Sequence, residues 1–180
     1  MHESVIMSGF GGQGILLMGQ LFCYAGMHEG KKVTWMPSYG PEMRGGTANC
    51  TVMISDDRVG SPVTHHPSSL VAMNKASLDR FEEDLQVKGF LLINSSLIDQ
   101  EPQRKDLQVI KIPANKIAEE AGTPQVTNMA ALGAYVGAKK IVSIESVIHA
   151  LRRMIPAHRK ELLNINEMAL RKGYETALAK

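Results

Sequence analysis

At 180 residues and 19.7 kDa, the chain is long enough for a single domain over 1–180 to bury about two-thirds of its unfolded surface without disulfide or metal support. Its 44% hydrophobic and 21% charged residues are ordinary globular values, and a mean hydropathy of -0.10 with no apolar run of about 18 residues excludes a membrane span. Twenty basic against eighteen acidic residues leave a formal +2; these charges are scattered rather than clustered, which excludes a nucleic-acid-binding stripe while suiting an anionic ligand.

Met1 to Ser4 has neither the basic region nor the apolar core of a secretory signal, so a cytoplasmic location is expected. Cys23 and Cys50, placed in a helix and a strand, are expected to be buried small hydrophobes with free thiols, too few for a four-thiolate cluster. Eleven methionines beside only 5% aromatics suggest adaptable packing or a surface that meets another subunit.

In chain order, Val5-Ile6-Met7 is a short apolar run that predicts a buried strand. Gly9-Phe10-Gly11-Gly12-Gln13-Gly14 follows, and Ile15, Leu16, Met18, Leu21, Phe22 and Ala25 then recur at helical spacing until Gly26 and Gly30 end the helix. Strand, glycine turn and helix in that order permit positive φ and expose unpaired helix N–H groups to an anion. A lone G-x-G-x-x-G pattern serves equally well to pack a first helix on its strand. A nicotinamide site would add an acidic residue about 20 positions on, but the next strand, Lys32 to Met36, ends in Pro37-Ser38 with no Asp or Glu.

Pro37 to Gly46 holds two prolines and three glycines and reads as loop. Ser38, Tyr39, Glu42 and Arg44 give it recognition chemistry, since Arg offers a planar fork of donors to carboxylate or phosphate; Gly45 and Gly46 close it. The plainer role for Glu42 and Arg44 is a local pair or contact with solvent. Following a parallel strand's carboxyl end, this loop would lie where open α/β sheets bind ligands.

Thr47 to Ile54 alternates as a strand with one buried face and turns at Ser55 to Asp57; Arg58 to Val63 reads as a short edge piece, and Ser69 to Met73 as another buried strand. His65 and His66 have no metal-spaced companions and read as surface loop. Asn74 caps a helix through Leu78, Phe81, Glu82 and Leu85. Gly89 to Ile93 is a strand, Asn94 to Asp106 a linker and Leu107 to Ile112 a strand stopped by Pro113. Ala114 to Ala121 is a short helix closed by Gly122. Thr127 caps a helix through Ala138 whose Gly133 and Gly137 predict a tight helix contact, and Ser143 caps an amphipathic helix running to Pro156. A final helix from about His158 is expected to break at Gly173, with His158 to Glu161 as a solvated face. The β/α alternation predicts a three-layer, Rossmann-like α/β sandwich with a mostly parallel sheet and helices on both faces.

There is no nucleophile elbow, P-loop lysine, H-E-x-x-H or CxxC. Two glycine-rich segments on one sheet edge with few acid–base side chains point to a subunit that shapes a site whose chemistry belongs to a cofactor held elsewhere.

Gly9–Gly14, the S-Y-G-P-E-M-R-G-G segment Ser38–Gly46, Thr47–Ser55 with Gly60-Ser61-Pro62, Asn128–Gly133 and, more loosely, Asn164–Gly173 occur in order over nearly the whole chain. In these motifs the sequence resembles the gamma subunit of 2-oxoacid:ferredoxin oxidoreductases of the pyruvate, 2-oxoglutarate and branched-chain types. The resemblance implies a complex that decarboxylates a 2-oxoacid on thiamine diphosphate, passes electrons through iron–sulfur clusters to ferredoxin and forms an acyl-CoA. It also implies that thiamine diphosphate and Mg²⁺ are held by alpha and beta subunits and 4Fe–4S clusters by beta and delta subunits. This chain would hold no cofactor or metal and no catalytic residue, and would bind neither nucleic acid nor membrane. Gly9, Gly11, Gly12, Gln13, Gly14, Ser38, Tyr39, Glu42, Arg44, Gly45 and Gly46 would face the alpha/beta core and help position coenzyme A. Met43 and the Thr47–Cys50 form look more like 2-oxoglutarate or branched-chain members than pyruvate ones, and 2-oxoglutarate is the expected oxoacid. The alternative of a different class is a stand-alone Rossmann-like nucleotide-binding or regulatory module.

Overall fold

The computed structural model describes residues 1–39, 46–155 and 160–180. Six strands, β1 (His2–Phe10), β2 (Lys32–Tyr39), β3 (Thr47–Ser55), β4 (Ser69–Ala72), β5 (Phe90–Asn94) and β6 (Gln108–Ile112), form one sheet in the order β2-β3-β1-β4-β5-β6. The helices among the described residues are α1 (Ile15–His28), α2 (Lys75–Phe81), α3 (Ala114–Ala121), α4 (Thr127–Lys139), α5 (Ile144–Met154) and α6 (Lys160–Leu178). The expected α/β architecture with a mostly parallel sheet is present: β1, β4, β5 and β6 pair in parallel, and β3 alone runs against its neighbours β1 and β2.

Alternation along the strands makes two apolar faces. Val5, Met7, Cys50, Val52, Ile54, Val71 and Leu92 point to the larger core, shared with α1, α3, α4, α5 and α6. Ile6, Leu70, Ala72, Leu91 and Ile93 point the other way, onto Leu78 of α2, Leu85 and Ile98. Both faces are therefore covered, unequally, and β4 and β5 are buried at every position, as continuous apolar strands of a parallel sheet should be.

Several boundaries differ from the sequence reading, each for a physical reason. β2 continues through Pro37 to Tyr39, so Ser38 and Tyr39 are strand rather than loop; β2 is a sheet edge, where a proline's missing donor leaves no neighbour unpaired. Arg58 to Val63 forms no strand, and α2 stops at Phe81. Thr123, not Thr127, caps the segment leading into α4, through a 3-10 turn at Pro124–Val126, while the Thr127 hydroxyl donates to the Pro124 carbonyl at 2.7 Å. Cys23 is only partly buried. His65 and His66 are exposed, as expected, and His158 lies outside the described residues.

The expected tight helix contact exists, between α4 and α6. A Cβ on Gly133 would run into the Leu170 carbonyl, and one on Gly173 into the Ala130 carbonyl. Gly173 therefore does not break α6, which is continuous to Leu178; it removes the side chain that would hold the two backbones apart.

Candidate functional site: the glycine edge

β1 leads straight into the glycine turn. The Gln13 side-chain oxygen accepts from the Phe10 N–H at 2.7 Å, and the Gln13 N–H donates to the Phe10 carbonyl at 3.1 Å, so the turn closes on itself. Gly12 has φ +96 and Gly14, the N-cap of α1, φ +69; both lie in the left-handed region where an L side chain is strained. The Gly14 carbonyl accepts from the Met18 N–H at 3.0 Å, the first turn of α1, and from the buried Asn128 side chain at 3.1 Å. A Cβ on Gly14 would strike that same Asn128 amide. Asn128 thereby fixes the turn from across the core, a role in its motif that the sequence alone did not disclose.

The two glycine-rich segments meet. The Gly11 N–H donates to the Gly46 carbonyl at 2.9 Å, where Phe10 and Thr47 end the β1–β3 ladder. The expectation of a loop after a parallel strand needs correction in detail: among the described residues β2 pairs only with β3, and that pairing is antiparallel. Because β3 is antiparallel to both β1 and β2, those two strands share a direction, and β2 ends at the same edge of the sheet as β1.

Between the segments lies a cavity of about 290 Å³. Gly11, Gly12, Gly14 and Gly46 line it with backbone, and Phe10, Ile15, Leu16, Leu17, Thr47 and Ala48 form its walls. Gly9, Gln13 and Ser38 are not among its lining: Gly9 packs under Gln13 and Ile15, Gln13 is used within the turn, and Ser38 pairs with Asn49. Tyr39 sits in the ladder opposite Ala48. Gly40, Pro41, Glu42, Met43, Arg44 and Gly45 lie outside the described residues.

Among the described residues no charged side chain lines the cavity. No side chain among the described residues caps α1, and its first turn holds no acidic residue; the amides of Ile15, Leu16 and Leu17 have no intrahelical acceptor. An anion is the complement of such an end. Beneath it, the Cys50 thiol donates to the Ile15 carbonyl at 3.7 Å; burial pushes this thiol up to about 12 and that of Cys23 up to about 11, so neither is a nucleophile here. Among the described residues no three His, Cys, Asp or Glu side chains converge to hold a metal, and no helix is long and apolar enough to cross a membrane.

The sequence matches the pyruvate ferredoxin/flavodoxin oxidoreductase family over residues 4–176. The chain belongs to that family. It is 38% identical over 173 residues to the ketoisovalerate oxidoreductase subunit VorA of Methanothermobacter marburgensis, which covers 96% of this chain but only 36% of that relative. The chain thus spans about a third of the VorA length. It is 35% identical to the 2-oxoglutarate synthase subunit KorC of Methanocaldococcus jannaschii, covering 98% of this chain and 95% of KorC. Among solved structures, the gamma subunit of a keto/oxoacid ferredoxin oxidoreductase from Geobacter sulfurreducens superimposes with a TM-score of 0.86 at 31% identity over 99% of both chains. The fold is that of this gamma subunit.

Proposed function

We propose that the chain is the gamma subunit of a 2-oxoacid:ferredoxin oxidoreductase complex and that its glycine edge closes over coenzyme A beside the subunits that carry thiamine diphosphate, Mg²⁺ and 4Fe–4S clusters. The observation that carries this is the Gly11 to Gly46 bond, which makes one site of two motifs that lie apart in the sequence. A cavity of about 290 Å³ falls at the small end of ligand pockets. It takes a segment of coenzyme A, with a phosphate at the uncapped start of α1 and an apolar stretch against Phe10, Leu16 and Ala48, while the rest lies on the partner. The chemistry supplied by the complex is oxidative decarboxylation on thiamine diphosphate with electron transfer to ferredoxin. This chain's own part is to orient the thiol acceptor and exclude water.

Arg44, by its place in the motif, serves the same inter-subunit site. Arg44→Ala should lower acyl-CoA formation in the reconstituted complex and raise the coenzyme A concentration needed for half-maximal rate, with the subunit still folded. Normal turnover and normal assembly together would exclude that role.

We take 2-oxoglutarate as the oxoacid because KorC matches over almost its full length; 3-methyl-2-oxobutanoate is the second reading, favoured by the 38% identity to VorA. Affinity capture from the native cell extract, with the partners identified and the captured complex assayed on both acids and on pyruvate for ferredoxin reduction, decides both complex and substrate. A subunit that captures no thiamine-dependent partner and instead binds NAD(H), FAD or ATP tightly would be a free-standing nucleotide module.

A further inference from the structure

α1 has no Asp, Glu, Lys or Arg among its 14 residues, although one side of it faces water. A surface helix normally turns charge outward, and a helix apolar all round belongs in an interior. Its inner residues, Met18, Leu21, Phe22 and Ala25, are fully buried. Its outer ones are Leu17, Tyr24 and Met27, exposed by 36%, 51% and 55%. Their spacing of seven and three residues places them on one stripe, with Gln20 between, running about 15 Å along the axis.

Each end of the stripe opens on a concavity. Leu17 borders the glycine cavity. Tyr24 and Met27 border a groove of about 500 Å³ between α1 and α5, whose other walls include Arg153, Met154 and the stacked pair His28 and His149, with ring centroids 4.1 Å apart. Among the described residues no carboxylate lines this groove. Aromatic, Met and Arg side chains without acidic neighbours are the composition enriched at the centre of protein interfaces.

We infer that the outer face of α1, from Leu17 to the Tyr24–Met27 groove, is the surface onto which the partner subunit docks, the partner being the counterpart of the remainder of the longer relatives. This rests on the proposed function. The occupant follows from chain lengths: the matching region makes up 36% of VorA but 95% of KorC. The same domain thus exists covalently joined to a larger body and as a short chain. The joined form has a permanent neighbour, and the short form recovers it only by association, through a face that water solvates poorly. Continuity of the stripe with the glycine cavity means that docking there also walls the cavity.

The test uses the full chain co-expressed with the partners captured from the native extract. Tyr24→Glu/Met27→Glu should leave the free subunit's melting temperature unchanged and reduce its incorporation into the complex at least tenfold. Met168→Glu, at an exposed apolar site on α6, should assemble like wild type. Hydroxyl-radical footprinting of the wild-type chain covers the case in which the double variant misfolds: Tyr24 and Met27 should be modified in the free subunit and protected in the complex. Normal incorporation of the double variant, or equal modification in both states, overturns the inference while leaving the subunit assignment intact. Loss of self-association in place of complex assembly assigns the stripe to a second copy and overturns it as well. Failure of the wild-type chain to find any thiamine-dependent partner overturns the subunit assignment, and this inference with it.

Discussion

Gly14 is held by two independent constraints, a left-handed backbone and the Asn128 amide lying where its Cβ would go. Holding a non-glycine residue at such a φ costs about 1–3 kcal/mol, so Gly14→Ala should lower unfolding stability by at least that much. Asn128→Ala alone removes a buried hydrogen bond and should cost about 1–3 kcal/mol. In the double variant the steric part disappears while the backbone strain and the lost hydrogen bond remain, so its loss in urea titrations should be smaller than the sum of the two single losses. The thiols give a second check. With Cys50 pushed up to about 12 and Cys23 up to about 11 by burial, alkylation of the native protein at pH 8 should be slow at Cys23 and slower at Cys50, and both should react fully once unfolded. Gly11, Gly12, Gly14 and Gly46 could be picked from the sequence because glycine signals a backbone demand. Phe10 and Leu17 could not, because an apolar residue at a cavity wall has the same local pattern as one in the core.

Between elements, α4 and α6 approach to backbone distance. Gly133→Ala or Gly173→Ala must push rigid carbonyl groups apart rather than a movable side chain; overpacking of this kind costs about 1–3 kcal/mol or more, readable as a lowered melting temperature in either variant. The linker between β5 and β6 is held differently. Arg104 donates to both oxygens of Asp106, at 3.0 and 2.7 Å, and the Lys88 N–H donates to the same carboxylate at 2.9 Å. The Arg104 bonds hold the Asp106 carboxyl at about 2. Because that value is depressed, the stabilisation is complete above the ordinary aspartate range near pH 4 and is lost as pH falls from about 4 through about 2. Asp106→Asn should remove this part of the acid dependence, so urea midpoints of wild type and variant should converge toward pH 2.

Element order was legible because hydrophobic period reports strands and helices residue by residue. What period does not carry is which strand lies beside which. The antiparallel insertion of β3 between β1 and β2, which brings Gly46 to Gly11, is a property of pairing at a distance. Gly173 was misread for a related reason: helix propensity treats it as a weak point, and packing against Ala130 overrides propensity. Pro37 was read as a strand end because its tolerance depends on β2 being an edge, which no local pattern states.

For the molecule as a whole, the strand that opens the sheet also anchors its far end. Glu3, buried at the start of β1, accepts from the Tyr135 hydroxyl of α4 at 2.9 Å and from Ser68 at 2.9 Å, bonds Ser69, and lies 3.3 Å from Lys139. One end of β1 thus carries a closed charge network, and the other opens on the glycine turn and its cavity. The network is paired throughout, whereas the glycine edge and the stripe of α1 lack their complement within the described residues.

The fit of α4 against α6 also sets an order of events during synthesis. Gly133 cannot meet its partner carbonyl until Leu170 and Gly173 have left the ribosome, some forty residues later, and domains close as their segments emerge, N-terminal parts first. Until then the small-residue face of α4 lies bare against the growing sheet, and the core shared by α1, α4 and α6 is incomplete. Nascent chains halted before residue 170 should therefore be protease-sensitive.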